Sequence, residues 1–112
     1  MKKDTKILLE HILDSIKLIE EYVKGKDKSD FLKSTQLQDS VIRRVEIIGE
    51  AVKNLPDDVK ETHANIPWKN ITGMRDILIH QYFGVDLSLT WKVIEDDLPE
   101  LKNQITSIKD QI

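Results

Sequence analysis

The 112-residue chain has no cysteine. Disulfides and thiolate metal sites are therefore excluded. Aromatic residues make up only 5% of the chain, and there are only four glycines and three prolines. A collagen-like or Pro/Gly-rich disordered chain is excluded by that scarcity. No apolar run approaches the roughly 20 residues that a membrane-spanning helix needs. No alternating strand pattern, internal repeat or low-complexity stretch is present. The opening Met1-Lys2-Lys3-Asp4-Thr5 lacks the apolar core of a signal peptide, so a cytoplasmic location is expected. The formal net charge of −3 argues against a strongly basic nucleic-acid coat. It leaves room for an enzyme that meets RNA through a few local cations.

What is present is amphipathic helix. With 39% hydrophobic and 33% charged residues, the chain has the balance of a globular protein, and its length suits a single domain over residues 1–112. From Asp4 to Lys24, Leu8, Ile12, Ile16, Ile19 and Tyr22 or Val23 recur every three or four positions, which is helical periodicity. Gly25 is placed to end that helix, and Lys26-Asp27-Lys28-Ser29 reads as a connector. Ser29 or Asp30 is expected to cap a short turn through Phe31 and Leu32, and Ser34 or Thr35 a long second helix. That helix carries Leu37, Val41, Val45, Ile48, Val52 and Leu55 on one stripe. Ile42, Ile47, Gly49 and Ala51 lie off it, which marks the helix as central or as meeting another subunit.

Pro56-Asp57-Asp58 ends this helix and suits the start of a short one. Pro67 fits a first-turn position, with Trp68 as a core anchor. Met74 to Phe83 reads as a further helix closed by Gly84, and Asp86 or Ser88 starts the last helical region. Pro99 is expected to bend or restart that region. The expected fold is all-α, an antiparallel bundle of four to five helices.

Chemistry concentrates in Met74-Arg75-Asp76-Ile77-Leu78-Ile79-His80-Gln81-Tyr82-Phe83. At about 100° per residue, Asp76 and His80 share one side of a helix, and Arg75 and Tyr82 lie nearly in line around from them. An imidazole can take a proton from a ribose 2′-hydroxyl or give one to a leaving oxygen. A guanidinium can grip a phosphate in two places and stabilise its growing charge. Phosphodiester cleavage by such a pair needs no metal, and no cofactor is implied. Spacing alone leaves a plainer reading open: Arg75 and Asp76 as a surface ion pair, His80 as a satisfied histidine and Tyr82 as a core aromatic.

Elsewhere, His11 is expected to be packed within the first helix and His63 to sit in a loop or at a helix end. Arg43 and Glu46, three apart, suit an intrahelical ion pair. An orienting role for Arg43, Glu46 or Glu50 toward Arg75 is the functional counterpart. Lys24, Lys26, Lys28 and Lys33 read as a solvated cationic face.

The segment Ile66-Pro67-Trp68 through Arg75-Asp76-Ile77-Leu78-Ile79-His80-Gln81-Tyr82 to Asp86 resembles the signature of HepT-like proteins of the HEPN class. Val41-Ile42-Arg43 through Glu46, Ile48-Gly49-Glu50-Ala51, and the ending Trp91 to Leu98-Pro99-Glu100-Leu101 resemble it as well, so the likeness covers nearly the whole chain. The resemblance implies a helical bundle that forms a two-fold homodimer, with the Arg-x4-His motifs facing one another in a joint endoribonuclease site. Arg75 and His80 match the catalytic positions. Asp76 stands where many relatives carry asparagine and takes a supporting place; an ionised aspartate accepts hydrogen bonds but cannot donate. The resemblance further implies a toxin neutralised by a minimal nucleotidyltransferase antitoxin, which modifies the position matched by Tyr82 by adenylylation. The alternative of a different class is a non-catalytic helical module that docks a nucleotidyltransferase and its nucleotide.

Overall fold

Two long amphipathic helices set the frame. A computed structural model of the chain describes residues 3–73 and 86–112. Helix α1 (Lys3–Val23) and helix α3 (Thr35–Asn54) form the most extensive helix–helix contact. Their seam is the expected stripe: Ile12, Ile16, Ile19, Val41, Val45, Ile48 and Val52 are all buried. Each such side chain contributes about 1.5–3 kcal/mol when removed from water. Leu9 and Leu13 join them, so the buried face of α1 is wider than its single stripe suggests.

The turn between these helices is set by local backbone chemistry. Gly25 has φ +73°, the left-handed conformation that glycine reaches without a Cβ penalty. Helix α2 (Lys28–Lys33) follows. Its cap is Asp27, not Ser29 or Asp30. The Asp27 carboxylate accepts from the Asp30 N–H at 2.8 Å, and the Asp30 carboxylate accepts from the Asp27 N–H at 3.0 Å. Two N–H groups that the helix cannot satisfy are thereby paired. Ser34 then caps α3 by accepting from the Leu37 N–H at 3.1 Å. Phe31 is fully buried, and its ring lies 5.5 Å from that of Trp91. That pair ties α2 to the C-terminal part of the chain.

Helix α4 (Asp57–Thr62) begins after Pro56, as its acidic first turn favours. A helical stretch at 68–73, here α5, starts after Pro67, whose carbonyl accepts the Ile71 N–H. Helix α6 (Leu87–Lys92) is capped by Asp86 through the Leu89 N–H at 3.0 Å. It runs into a π-helical turn, Val93–Asp97, and then α7 (Leu98–Asp110). The Leu98 N–H reaches back five residues to the Val93 carbonyl. Pro99 has no N–H to give to the Glu95 carbonyl and crowds it. The widened turn just before it accommodates both constraints, so the expected bend takes the form of a π-turn in the first approach to α7.

Helices α1 and α7 run antiparallel. Lys102 pairs with Glu20 at 2.8 Å, and Lys109 with Glu10 at 3.7 Å. These pairs are exposed and fix register more than they stabilise. The described residues thus form the expected all-α antiparallel bundle. No helix among them is long and apolar enough to cross a membrane.

Candidate functional site

Two fixed points bracket the stretch that carries the expected chemistry. On its N-terminal side, Trp68 is buried, and its indole N–H donates to the carbonyls of Lys60 at 3.2 Å and His63 at 3.1 Å. A buried indole keeps a partner for its N–H, so Trp68 locks the α4–α5 turn while its rings fill the core. Ile71, one turn on, is also buried. On the C-terminal side, Asp86 caps α6 and Trp91 enters the core. Arg75, Asp76, His80 and Tyr82, with the expected Met74–Phe83 helix and Gly84, lie outside the described residues.

The second cluster is described. Arg43 and Glu46 form the expected pair along α3, at 3.5 Å. Their side chains are 63% and 35% exposed, so the pair is mostly solvated and contributes little to stability. Beside it lies a concavity of ≈ 270 Å³ between the first half of α1 and the second half of α3, which Glu50 and Asn54 also line. His11 lines it too, and here the structure corrects the sequence reading: His11 is exposed, not packed. Its helical position falls just beyond the edge of the buried face, where buried Leu9, Ile12 and Leu13 give way to half-buried Leu8. The site gathers an imidazole, a guanidinium, an amide and two carboxylates on a surface with half-buried Leu8 and Ile47. His63 ends α4, as expected for a helix-end residue. Lys24, Lys26, Lys28 and Lys33 are all exposed, as a solvated face requires.

Among the described residues, Asp30 is the group whose ionisation the fold visibly biases. Its carboxyl is held below the ordinary carboxylate value, chiefly by the Asp27 backbone N–H, and further by the Asp27 side chain and nearby Lys26 and Lys33. The cause is helix capping, so the shift marks structure rather than chemistry. Among the described residues, no three His, Asp or Glu side chains gather as a cation site.

Comparison with known proteins decides the family. The family described as "Ribonuclease HepT-like" matches residues 12–108. The chain belongs to the HepT-like ribonuclease family. With membership comes the family's enzyme class, ribonuclease. A protein of Methanocaldococcus jannaschii named "Gamma-glutamylcyclotransferase and putative RNase" is 58% identical over all of this chain, which spans 50% of that relative's length. The "Probable ribonuclease HepT" of Thermococcus cleftensis is 46% identical over 97% of this chain and 99% of its own length. A "Putative RNase" of Caldanaerobacter subterraneus is 49% identical over 89% of each chain. No solved structure matches. The HepT-like family match runs through 74–85, so the Arg75–His80 motif lies inside the matched span.

Sequence reasoning missed two features of the described surface. One is the exposed imidazole of His11 beside Arg43, which the one-turn spacing of Leu8, Ile12 and Ile16 conceals. The other is an apolar groove between α5 and the π-turn. No local pattern signals it, because its walls come from segments far apart in the chain.

Proposed function

We propose that this ribonuclease is a metal-independent endoribonuclease acting as the toxin of a toxin–antitoxin pair. In this reading His80 serves as general base or acid, and Arg75 holds the scissile phosphate and stabilises the charge that develops on it. Asp76 supports the pair as a hydrogen-bond acceptor for Arg75 or His80. Two copies of the chain meet as a homodimer and bring their Arg-x4-His motifs together at the interface. The off-stripe face of α3, with half-buried Ile42 and Ile47, suits a helix that packs on more than one side.

The observation that carries the reading is the Arg75-x4-His80-x-Tyr82 motif within a family match over residues 12–108. It favours an enzyme over a non-catalytic docking module, since a docking module has no need of that pair. A composite site also suits the size of the chain: 112 residues bury one modest core and leave little room for a deep private active site. Neutralisation comes from a nucleotidyltransferase antitoxin that adenylylates Tyr82. A nucleotide phosphate beside Arg75 would compete for the cation and block the approach of RNA.

Growth on induced expression tests the toxin role. The parent chain arrests growth and His80→Ala, at equal soluble level, does not. Arrest by both, or by neither, would overturn the reading. Intact-mass analysis after co-expression with a nucleotidyltransferase encoded beside this chain tests the regulation. A mass gain of one or more adenylyl groups, lost in Tyr82→Phe, is expected, and modification elsewhere refutes it.

A further inference from the structure

The concavity between α1 and α3, at ≈ 270 Å³, is smaller than the roughly 300–1,000 Å³ of pockets that take a drug-sized ligand. It suits one planar ring. Half-buried Leu8 and Ile47 give it an apolar patch, and His11, Arg43, Glu46 and Asn54 stand around that patch. These polar side chains are open to solvent. His11 and Asn54 are exposed, and the side chains of Arg43 and Glu46 are 63% and 35% exposed. The walls belong to the two helices in most extensive contact, so the groups are held in place before a ligand arrives. Arg43 and Glu46 approach to 3.5 Å, longer than the about 2.7–2.9 Å of a good charge-assisted hydrogen bond. The pair therefore sets a fork of N–H donors beside a carboxylate and leaves both with bonding capacity.

Hydrogen-bonding pattern selects the occupant. A phosphate would meet the carboxylates of Glu46 and Glu50, and a cation would meet Arg43. A nucleobase carries no net charge and offers donors and acceptors along one edge, and unstacked RNA bases are read on that edge. Guanine alone among the four RNA bases places two N–H donors side by side on its Watson–Crick edge, N1–H and N2–H. They match the two oxygens of one carboxylate. The neighbouring O6 accepts from a guanidinium. We propose that this concavity is a guanine-binding subsite for the RNA on which this ribonuclease acts. Glu46 accepts from N1–H and N2–H, Arg43 donates to O6, and the ring lies against Leu8, Ile47 and the His11 imidazole. Glu50 has a partner of its own, so Glu46 is the acceptor assigned. The inference rests on membership of the ribonuclease family. It rests neither on the toxin role nor on the Arg75–His80 mechanism.

The test uses the full chain and seven-nucleotide single strands with 2′-O-methyl sugars, which have no 2′-hydroxyl to attack the phosphate. Binding is thus read apart from cleavage. One strand is all uridine, and the others carry a central guanine, adenine, cytosine or hypoxanthine. Binding is followed by amide chemical shifts. The guanine strand is expected to bind about ten-fold or more tighter than the adenine, cytosine and all-uridine strands, the scale of one good bidentate base contact. Its shifts should centre on His11, Arg43, Glu46 and Asn54. Hypoxanthine keeps N1–H and O6 but lacks the N2 amine, and should bind less tightly than guanine. Glu46→Gln and Arg43→Ala should each bring the guanine strand to the level of the all-uridine strand, with the urea midpoint kept. Equal or undetectable binding of all strands, or a preference for another base, would overturn the proposal. So would shifts centred elsewhere, hypoxanthine binding as tightly as guanine, or a guanine preference that survives in either variant.

Discussion

Replacing Trp68 with phenylalanine separates two roles of one side chain. The indole is only 8% exposed, and its N–H is shared between the carbonyls of Lys60 and His63 at 3.2 and 3.1 Å. The His63 carbonyl keeps a second donor, the Ile66 N–H at 3.1 Å. Among the described residues no second donor reaches the Lys60 carbonyl, which is left short in Trp68→Phe. A lost hydrogen bond with one orphaned acceptor costs about 1–2 kcal/mol. The smaller ring also forgoes part of the indole's buried area, on the order of 1 kcal/mol. Trp68→Phe is therefore expected to cost about 2–3 kcal/mol, and Trp68→Ala about 3–5 kcal/mol. Against a typical total of about 5–15 kcal/mol, either is a large fraction. Urea unfolding at fixed protein concentration measures both, with the slope unchanged and the midpoint lowered. A loss of about 1 kcal/mol or less in Trp68→Phe, no more than the area term alone, would show that the bonds to Lys60 and His63 carry no net weight.

Three further outcomes follow from the geometry. Gly25→Ala should destabilise the chain by about 1 kcal/mol, read from the same urea curves, because φ +73° is strained for an L side chain although the space around it is open. Asp30 is depressed in the folded state, so its contribution to stability is present above the ordinary carboxylate value of 3.8 and is lost as pH falls through the lower folded value. Asp30→Asn should remove that acid-side dependence in a pH series of unfolding midpoints. Arg43→Ala should change stability by less than about 0.5 kcal/mol, since its pair with Glu46 is mostly solvated; a large fall in RNA cleavage with stability intact would instead give Arg43 a functional role.

The long helices were legible because their burial follows one period. Leu37, Val41, Val45, Ile48, Val52 and Leu55 recur at three or four positions and are all buried. Two caps were narrowed to a pair of candidates each, Ser34 or Thr35 and Asp86 or Ser88, and the structure selects Ser34 and Asp86. Asp27 was missed because it was read as part of the connector, with Ser29 or Asp30 as the cap; its role depends on a reciprocal bond with Asp30 that starts the helix earlier than expected. The π-turn was invisible for a different reason. Pro99 signals an interruption, but how the chain absorbs it depends on packing around Val93, Ile94 and Leu98. His11 lies one position beyond a buried face whose width depends on neighbours that the sequence does not name. The pairing of Arg43 with Glu46 was legible because i,i+3 neighbours on a helix need no tertiary information. The motif Arg75, Asp76, His80 and Tyr82 was legible as sequence, and its placement lies outside the described residues.

Cleavage of a single-stranded RNA by the purified chain, in the presence of a metal chelator and beside Arg75→Ala and His80→Ala, tests the central claim most directly. The account predicts cleavage by the parent chain and a loss of about 100-fold or more in each variant, the scale of a general acid–base or charge-stabilising group. Cleavage that survives in both variants would contradict it, as would cleavage by the parent that the chelator abolishes.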